Sequence, residues 1–556
     1  MSLRSQLDDI SRHRNVYLLA LSAAMGSLFC GYDIGLIGGV LALGSFQHYF
    51  GLDKMDDGEK AVLNGNIVAS LQLGGLFGAL GVVPFSSRYG RRPCLIASGV
   101  IYIIGSAIQV VVGLKTTRET ALGLLYFGRF LGGIGVGMVS ALAPSYVSEC
   151  SPPAIRGRCT GLIQLAINFG TMLSFWVNYI ASETITPNEK QWRIPFAIQI
   201  VPGVLFLLVI PFQPESPRYM VEHEQYARAA RTLASLARTA PDDNAVLATI
   251  EEIKADFVGK VKLSVFQQIG RMGTSRGVAL RCFIPSLVMI FQQCTGTNVI
   301  NYFSPEVFAS LGIDGTSAVL FATGIYGLVK VISVSLVLMF ALERIGRKKS
   351  FIIGGLGQCV MMLWIGSSSG VHASTAPVLH PLRYLSIVAV YLYAVFYCIG
   401  WGPVPWVVAG ELAPNHLRSA VMSIAIAASW LFAGTISKFT PIMLNRFGHW
   451  TFLIFGFCCF AIAFWSWLCL PETSGVRLED IGPLFEHDVI LRALQDAPGG
   501  RIFIGNRRAP PVGKLTATVA AIRVEDLQEA AEREAEPNDP DTKVDAQNAK
   551  NVLRDV

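Results

Sequence analysis

Ionisable side chains are rare inside the long apolar stretches of this chain, and Asp33, Arg129 and Lys330 are among the few that occur there. If those stretches cross a membrane, each such group costs about 2.5–3.5 kcal/mol on insertion scales, so each needs a function or a partner. An aspartate that faces an arginine across two helices can take up a proton and release the arginine to another partner. Asp33 and Arg129 are therefore a candidate proton switch. A fixed ion pair that only fastens two helices is the alternative.

A polar run inside a later apolar stretch supplies candidate ligand contacts. Residues 292–305 contain Gln292, Gln293, Asn298 and Asn301, at helical spacings that can align several amides on one side. Amides carry both hydrogen-bond donors and acceptors, which suits a polyhydroxylated ligand. A glycine and a proline in the same run loosen the helix. Hydrogen bonds between helices are the other use of such amides.

A second helix-breaking sequence, Gly402-Pro403-Val404-Pro405, directly precedes Trp406. Two closely spaced prolines interrupt helical hydrogen bonding. Such a break can act as a gate, and the indole beside it offers a stacking surface for a sugar ring. A plain kinked helix is the alternative.

These residues must be positioned by apolar helices. Hydrophobic residues make up 52% of the 556 residues and charged residues only 15%, with a mean hydropathy of +0.48. This exceeds what a soluble protein can bury, and it places the chain in a lipid bilayer. A membrane-crossing helix needs about 20 apolar residues. Twelve stretches qualify, near residues 17–40, 64–86, 94–113, 120–145, 158–181, 193–212, 279–303, 316–341, 349–369, 385–410, 419–443 and 450–470.

Three sequence patterns recur in the same order at a spacing of 256 to 262 residues. Each pair of patterns lies at matching places between apolar stretches. The pairs are Arg88-Tyr89-Gly90-Arg91-Arg92 with Arg344-Ile345-Gly346-Arg347-Lys348, Glu149 and Arg156 with Glu411 and Arg418, and Pro214-Glu215-Ser216-Pro217 with Pro471-Glu472-Thr473. Such a repeat predicts two homologous halves packed around a central site, an architecture typical of transporters.

The repeat divides the chain into five parts. We predict an N-terminal segment at 1–16, a six-helix bundle at 17–212, a helical linker at 213–278, a second six-helix bundle at 279–470 and a largely disordered tail at 471–556. The end of the tail is acidic and too poor in apolar residues to fold alone. Thirteen lysines and arginines lie on the side of the termini, against eight on the other side. This asymmetry places both termini and the linker in the cytoplasm.

Other functional classes lack their signatures in this sequence. The eleven cysteines include no Cys-x-x-Cys, so we expect no metal site and no disulfide framework. The net charge of +6 comes from loop residues that form no basic stripe, so we expect no nucleic-acid partner. We find no nucleophile with a base and no phosphate-binding loop, so we expect neither enzymatic activity nor a cofactor.

Taken together, these motifs resemble the sugar porter family of the major facilitator superfamily, including its fungal proton-coupled monosaccharide and quinate-type transporters. The resemblance implies an all-α fold of two six-helix bundles, the major facilitator fold. The signatures occur in the family's order: Arg88 to Arg92, Gly128-Arg129-Phe130, Pro214 to Arg218, Gln292-Gln293 with Asn298, Gly402 to Trp406, and Pro471 to Thr473.

The resemblance also implies roles for particular residues. In proton-coupled members the aspartate of the first span takes up the proton and the arginine of the fourth span responds to this protonation. The resemblance gives these roles to Asp33 and Arg129. Substrate contacts are implied at Gln164, Gln292, Gln293, Asn298 and Trp406. A cytoplasmic gate of ion pairs that holds the outward-open state is implied at Arg88, Arg92, Glu149, Arg156, Glu215, Glu343, Arg344, Arg347, Glu411, Arg418 and Glu472.

Three positions depart from the family pattern. Lys330 lies next to the position where glucose transporters carry a sugar-binding asparagine, so a cation can replace an amide in the pocket wall. It could pair with the carboxylate of a substrate such as quinate or a uronic acid, or with a helix end or an internal acid. Cys30 and Ser429 stand where an aromatic residue and an amide are usual. These departures argue against strict recognition of glucose.

We therefore expect a proton-coupled secondary transporter that imports a monosaccharide or a related polyhydroxy acid by alternating access. We expect a functional monomer in the plasma membrane, with the proton gradient as its driving force. A membrane sugar sensor that does not transport, and an uncoupled hexose facilitator, are the alternatives. Intact Asp33 and Arg129 favour transport, because a sensor would tolerate their loss.

Overall fold

A computed structural model describes residues 11–112, 117–152, 155–257, 267, 270, 272–273, 275–313, 315–374, 380–414, 417–474, 481, 484–485 and 489–496. Within these ranges the structure is helical and contains no strand. Twelve helical segments in them are long and apolar enough to cross a membrane. We number them spans 1 to 12: Arg14–Ala42, Asp57–Tyr89, Arg91–Val111, Arg118–Cys150, Arg156–Thr184, Glu189–Phe212, Arg276–Ser310, Thr316–Phe340, Arg347–Gly370, Tyr384–Leu412, Ala420–Phe447 and Trp450–Cys469.

The twelve predicted stretches correspond to these spans in order, and the predicted all-α membrane fold is confirmed. Several helices extend beyond their apolar part: span 1 has 29 residues and spans 2 and 4 have 33 each. Polar residues continue a helix until a capping group ends it. Asp56 caps span 2 by accepting from the backbone N–H of Gly58 at 3.1 Å, and Thr117 caps span 4. A hydropathy window does not register such polar turns.

Two of the spans are broken where the sequence predicted loosened helices. Span 7 consists of Arg276–Cys294, its inner half, and Thr297–Ser310, its outer half. They join at Gly296, whose φ of +84° favours glycine. Span 10 consists of His380–Ile399 and Val404–Leu412, separated by the turn that contains Gly402 and Pro403.

The other described segments are short, or add turns to a span. Span 6 comprises Glu189–Ile198, Ile200–Val209 and a 3-10 turn at Ile210–Phe212. The helices of spans 8, 9 and 11 have the full bounds Thr316–Leu336 with a π turn at Val337–Ala341, Arg347–Ser374, and Arg418–Phe447. The remaining segments are Gly44–Phe50, a 3-10 turn at Leu52–Lys54, Pro217–Glu222, Tyr226–Ala237, Asn244–Phe257, Leu342–Ile345 and Val489–Asp496.

Spans 1–6 and spans 7–12 pack as two bundles. They meet where span 2 packs on span 11, span 5 on span 8, and span 1 on the outer half of span 7. The helices approach closely there because glycine lacks a side chain. A Cβ added to Gly38 would lie only 2.4 Å from the carbonyl oxygen of Tyr302. A Cβ added to Gly65 would lie 2.3 Å from that of Lys438.

In the described part of the chain between spans 6 and 7, the helices Pro217–Glu222, Tyr226–Ala237 and Asn244–Phe257 form a layer on one side of the bundles, which we call the linker face. They share a small buried core that includes Val221, Ala229 and Ile250. The side-chain Nδ2 of Asn15 donates to the carbonyl oxygen of Ser235 at 2.7 Å, which fastens this layer to the start of span 1. Gly38 and Gly65 lie near the opposite ends of their spans, so the tight contacts between the bundles are on the opposite face.

Candidate substrate site and gates

A cavity of about 1000 Å³ opens between the bundles on the linker face. The linker helices and the linker-face ends of spans 1, 4, 5, 10 and 11 line it. Two predicted substrate residues, Gln164 and Trp406, belong to its wall. On the opposite face the described helices are packed together at Gly38 and Gly65. The structure is thus open towards the linker face and closed at the other.

Gln292 connects the two broken spans. Its Nε2 donates to the carbonyl oxygens of Trp401 at 2.8 Å and Gly402 at 3.0 Å. The break in span 10 removes these carbonyls from regular helical bonding, and an unpaired carbonyl inside a membrane protein is costly. In this conformation Gln292 therefore stabilises the break in span 10.

The neighbouring amides extend this arrangement into a hydrogen-bond chain, because Gln293 Nε2 lies 3.4 Å from Gln292 Oε1. Gln293 Nε2 donates to Ser429 Oγ at 2.7 Å, and Asn298 Nδ2 donates to Gln293 Oε1 at 2.8 Å. Each of these three side chains is less than one-tenth exposed. The chain links both halves of span 7 to span 11, so a ligand hydroxyl that replaced one of these bonds would act on all three helices.

Lys330 is buried in span 8, with 3% of its surface exposed. Its Nζ donates to Asn301 Oδ1 at 3.1 Å. The rings of Tyr326 and Tyr397 lie 5.6 and 5.4 Å from the same nitrogen, as in a cation–π contact. No carboxylate pairs with Lys330 among the described residues. A neutral oxygen and two rings compensate a buried charge less well than a carboxylate does.

Asp33 and Arg129 meet in the interior of the first bundle, and both are fully buried. Arg129 Nη1 lies 3.5 Å from Asp33 Oδ1, and Arg129 Nε donates to the backbone oxygen of Ile67 at 2.8 Å. Asp33 Oδ2 and Arg129 Nη2 have no hydrogen-bond partner in the described structure. The single contact is longer than the usual 2.7–2.9 Å of a charge-assisted bond. One carboxylate oxygen is therefore unengaged, as uptake of a proton requires.

Two ion pairs lie at the linker-face ends of the bundles. Arg91 Nη2 is 3.1 Å from Glu149 Oε1 in the first bundle, and Arg347 Nη2 is 3.0 Å from Glu411 Oε1 in the second. All four side chains are between 13% and 20% exposed. Each pair joins the third span of its bundle to the fourth span of the same bundle, so neither pair crosses the space between the bundles.

A second acid completes each cluster by capping a helix. Glu215 accepts from the backbone N–H groups of Arg91 and Arg92 at 2.9 and 3.1 Å, at the positive end of span 3. Glu472 accepts from the first two N–H groups of span 9 at 2.8 and 3.2 Å. The residue before each span is a glycine, Gly90 or Gly346, with φ of +98° and +86°.

Comparison with known proteins agrees with this geometry. Residues 19–485 match the family model described as "Sugar (and other) transporter". A probable quinate permease of Aspergillus fumigatus is 35% identical over 490 residues, which cover 86% of this chain and 89% of that protein. A quinate permease of Emericella nidulans is 34% identical over 497 residues, which cover 86% and 92%. The chain belongs to the sugar transporter family.

Solved structures of the family share the fold. The E. coli xylose transporter XylE in a partially occluded inward-open conformation has a TM-score of 0.70 and 27% identity, covering 84% of this chain and 100% of that one. The proton:xylose symporter XylE bound to 6-bromo-6-deoxy-D-glucose has a TM-score of 0.71 and 28% identity, covering 85% and 100%. The predicted sugar porter membership and major facilitator fold are confirmed, and the protein is a multi-pass membrane protein of a transporter family.

The other predicted gate residues of this family member have less uniform surroundings. The backbone oxygen of Arg88 accepts from the Tyr219 hydroxyl at 2.9 Å, and its guanidinium lies 5.5 Å from the ring of Tyr89. Arg156 and Arg418 line the cavity, and Arg344 is exposed. Glu343 falls in the short helix Leu342–Ile345, but its side chain is outside the described part.

Arg91 is the residue that sequence reasoning missed. The prediction named Arg88 and Arg92 from the first copy of the motif, whereas the structure pairs Arg91 with Glu149. The repeat contained the signal, because Arg91 corresponds to Arg347, which was predicted and pairs with Glu411. Aligning the two copies residue by residue would have identified Arg91.

Proposed function

We propose that this chain imports a polyhydroxy carboxylic acid of the quinate or uronic acid class together with a proton, by alternating access. The observation that carries the substrate class is the buried ammonium of Lys330, which has Asn301 and two tyrosine rings around it and no carboxylate among the described residues. A substrate carboxylate would complete this arrangement with a charge-assisted bond. A neutral hexose has no group that does so.

The hydroxyl groups of such an acid suit the remaining predicted contacts. Gln164 and Trp406 offer an amide and an aromatic face at the cavity wall. Gln293 and Asn298 offer further donors and acceptors beyond it. The relatives named quinate permeases support the acid, and the xylose symporter supports a sugar-like ring and a proton.

Asp33 would carry the proton. Protonation removes the attraction between Asp33 and Arg129 and so changes the partners of a buried guanidinium. One proton and one substrate anion together add no net charge to the membrane interior, which lowers the electrostatic barrier to moving both. The ion pairs of Arg91 and Arg347 would rearrange when the linker face closes.

The orientation follows from charge. The excess of basic residues in the loops on this side supports a cytoplasmic linker face, which would make the conformation described inward-facing, and we propose the plasma membrane as its location. Each chain encloses its own cavity between two bundles, and we propose that it acts as a monomer.

The test is the external pH of cells that lack their own sugar carriers and express this chain. Quinate, galacturonate, glucose and galactose are added separately. We expect alkalinisation with the two acids and none with the two hexoses. Alkalinisation with the hexoses alone would show that Lys330 has a structural role and does not bind a substrate carboxylate. No pH change with any compound, at verified surface expression, would contradict proton coupling, and uptake of labelled compounds would then separate a facilitator from a sensor.

A further inference from the structure

The outer half of span 7 carries two neighbouring residues that face the two parts of the proposed mechanism. Asn301 Oδ1 accepts from Lys330 Nζ at 3.1 Å, on the substrate side. Tyr302 is 2% exposed and lies near Arg129, on the proton side. The first bundle holds Arg129 and the second bundle holds Lys330, so the pair 301–302 bridges the bundles.

Tyr302 is held tightly against the first bundle. Its backbone oxygen approaches span 1 so closely that a Cβ added to Gly38 would lie 2.4 Å from it. Its side chain packs in one buried cluster with Ile37 and Ile67, and Ile67 provides the backbone oxygen that binds Arg129. Arg129 and Tyr302 therefore share Ile67 as a neighbour, so a shift of Arg129 would change the packing around Tyr302.

Gln72 of span 2 stands beside the Tyr302 side chain. Its side chain is fully buried, and neither Oε1 nor Nε2 makes a well-aligned hydrogen bond in this conformation. It lies at the seam between the bundles, because a Cβ on Gly434 of span 11 would come within 3.2 Å of the Gln72 Cβ. A buried amide without a well-aligned partner is a group that gains hydrogen bonds when its neighbours move.

We propose that Tyr302 is a positioning residue that transmits the protonation of Asp33 to the substrate-binding Lys330 through the outer half of span 7. Arg129 Nη2 lacks a partner, and the Tyr302 hydroxyl is an acceptor for it once a protonated Asp33 no longer attracts the guanidinium. The same hydroxyl can donate to Gln72. The inference rests on the proposed function, because it needs a proton at Asp33 and a substrate at Lys330.

The backbone around Tyr302 allows this movement. Gly296 begins the outer half with φ of +84°, and Phe303 departs from helical geometry with φ of −122° and ψ of 23°. The segment between these two points is short, so a displacement of Tyr302 displaces Asn301 with it. Asn301 then changes its bond to Lys330, and this exposes or covers the ammonium.

Asp33 has few other charged or titratable neighbours in the described structure. Span 4 contributes Arg129, span 3 contributes Tyr102, span 7 contributes Tyr302, and span 1 itself contributes Cys30 and Tyr32. The Tyr102 hydroxyl donates to the backbone oxygen of Gln199 at 3.3 Å and the Tyr32 hydroxyl donates to that of Pro195 at 3.0 Å, both in span 6 of the first bundle. Tyr302 is the tyrosine of this group that belongs to the second bundle.

The experiment measures labelled quinate in proteoliposomes that contain the full chain. Tyr302→Phe keeps the ring and removes the hydroxyl, and Gln72→Met removes the amide at similar volume. For each, accumulation under an imposed one-unit pH gradient is compared with quinate exchange at equal pH. We expect accumulation to fall at least fivefold while exchange stays within twofold of wild type, and the apparent quinate affinity to lose its dependence on pH.

Tyr32→Phe is the matched control, since its hydroxyl bonds to Pro195 within the first bundle; we expect it to retain accumulation. If Tyr302→Phe and Gln72→Met both accumulate quinate with the pH dependence of wild type, the inference is wrong. Parallel loss of exchange and accumulation would also overturn it, because Tyr302 would then be part of the passage itself. A failure of the proposed function shows instead in the wild-type protein, as quinate uptake that ignores the pH gradient.

Discussion

The two bundles are nearly identical at the linker face and different in their interiors. Arg91 with Glu149 and Arg347 with Glu411 have ion-pair distances of 3.1 and 3.0 Å. Even the supporting hydroxyl recurs, because Ser216 donates to Glu149 as Thr473 donates to Glu411. The same cluster therefore recurs at the same place in both bundles.

The interiors differ in the polar groups that they carry. The first bundle contains one acid and one base, Asp33 and Arg129, and the acid has an oxygen without a partner. The second contains a chain of amides and the cation Lys330. A proton needs a titratable oxygen, whereas a polyhydroxy acid needs many donors and acceptors and one positive charge. The duplicated scaffold thus separates the proposed proton site from the proposed substrate site.

A second difference lies beyond the last span. Lys348 Nζ donates to the backbone oxygens of Trp467, Leu470 and Ala493 at 2.7 to 2.8 Å. This bond set fastens the helix Val489–Asp496 to the second bundle. Ile481, Leu484 and Phe485 are buried in the core of that bundle, so part of the segment predicted as tail contributes to packing.

The largest effect should come from the acid of the first bundle. Asp33→Asn keeps the shape but cannot exchange a proton, so we expect the accumulation of labelled quinate, about tenfold for a one-unit pH gradient with one proton, to vanish. Exchange of quinate should persist. Asp57→Asn, on an exposed first turn of span 2, is the control and should accumulate quinate normally. Equal accumulation by Asp33→Asn and wild type would show that Asp33 does not carry the transported proton.

The second largest effect should come from Lys330, the buried cation of the second bundle. Lys330→Met removes the charge at similar length, and a charge-assisted bond is worth about 1.5–3 kcal/mol, so the apparent quinate affinity should fall about 10- to 150-fold. Uptake assays over a range of quinate concentrations measure this. Lys438→Met changes an exposed lysine of span 11 and should leave the affinity unchanged. An unchanged affinity in Lys330→Met would show that the substrate does not contact this lysine.

Lys348 offers a test of the asymmetry at the C-terminal end. Lys348→Met removes three bonds to backbone oxygens, and we expect a loss of about 2–3 kcal/mol in the free energy of unfolding. Trypsin should then cleave within 489–496 at lower temperature. Lys349→Met, at an exposed neighbour, should do neither. If both variants behave as wild type, the helix is held by its apolar contacts instead.

The smallest effects should be equal in the two halves. A methyl group at Gly90 or Gly346 would come within 2.4 or 2.6 Å of the capping carboxylate of Glu215 or Glu472, on a backbone that disfavours L side chains. We expect Gly90→Ala and Gly346→Ala each to lower the free energy of unfolding by about 1–2 kcal/mol. Thermal unfolding in detergent measures this, with Gly81→Ala as the control because nothing lies within 4 Å of its added Cβ. Very different losses in the two halves would contradict equivalent clusters.

Hydropathy and repetition were sufficient to predict the number of spans and the two halves, and the family resemblance named Arg347. The pairs Asp33–Arg129 and Arg347–Glu411 are formed by residues that the sequence analysis had named. The partners of Lys330 could not be predicted, because Asn301 and Tyr397 come from different spans whose rotation about their axes no periodicity specifies. The same is true of Gln292, whose bonds go to carbonyls released by a break 109 residues away.

The sequence alone determined that the chain crosses the membrane twelve times, that its halves are homologous and that an acid, two bases and a set of amides lie within those crossings. These properties depend on local composition and on residue order, which the bilayer converts directly into helices. Only the tertiary structure decided which of these groups meet, that Arg91 rather than Arg88 forms the ion pair, and that Asn301 contacts Lys330 while its neighbour Tyr302 packs on the first bundle. Such contacts depend on how the helices pack side by side, and this packing is specified by interactions between residues that are distant in sequence.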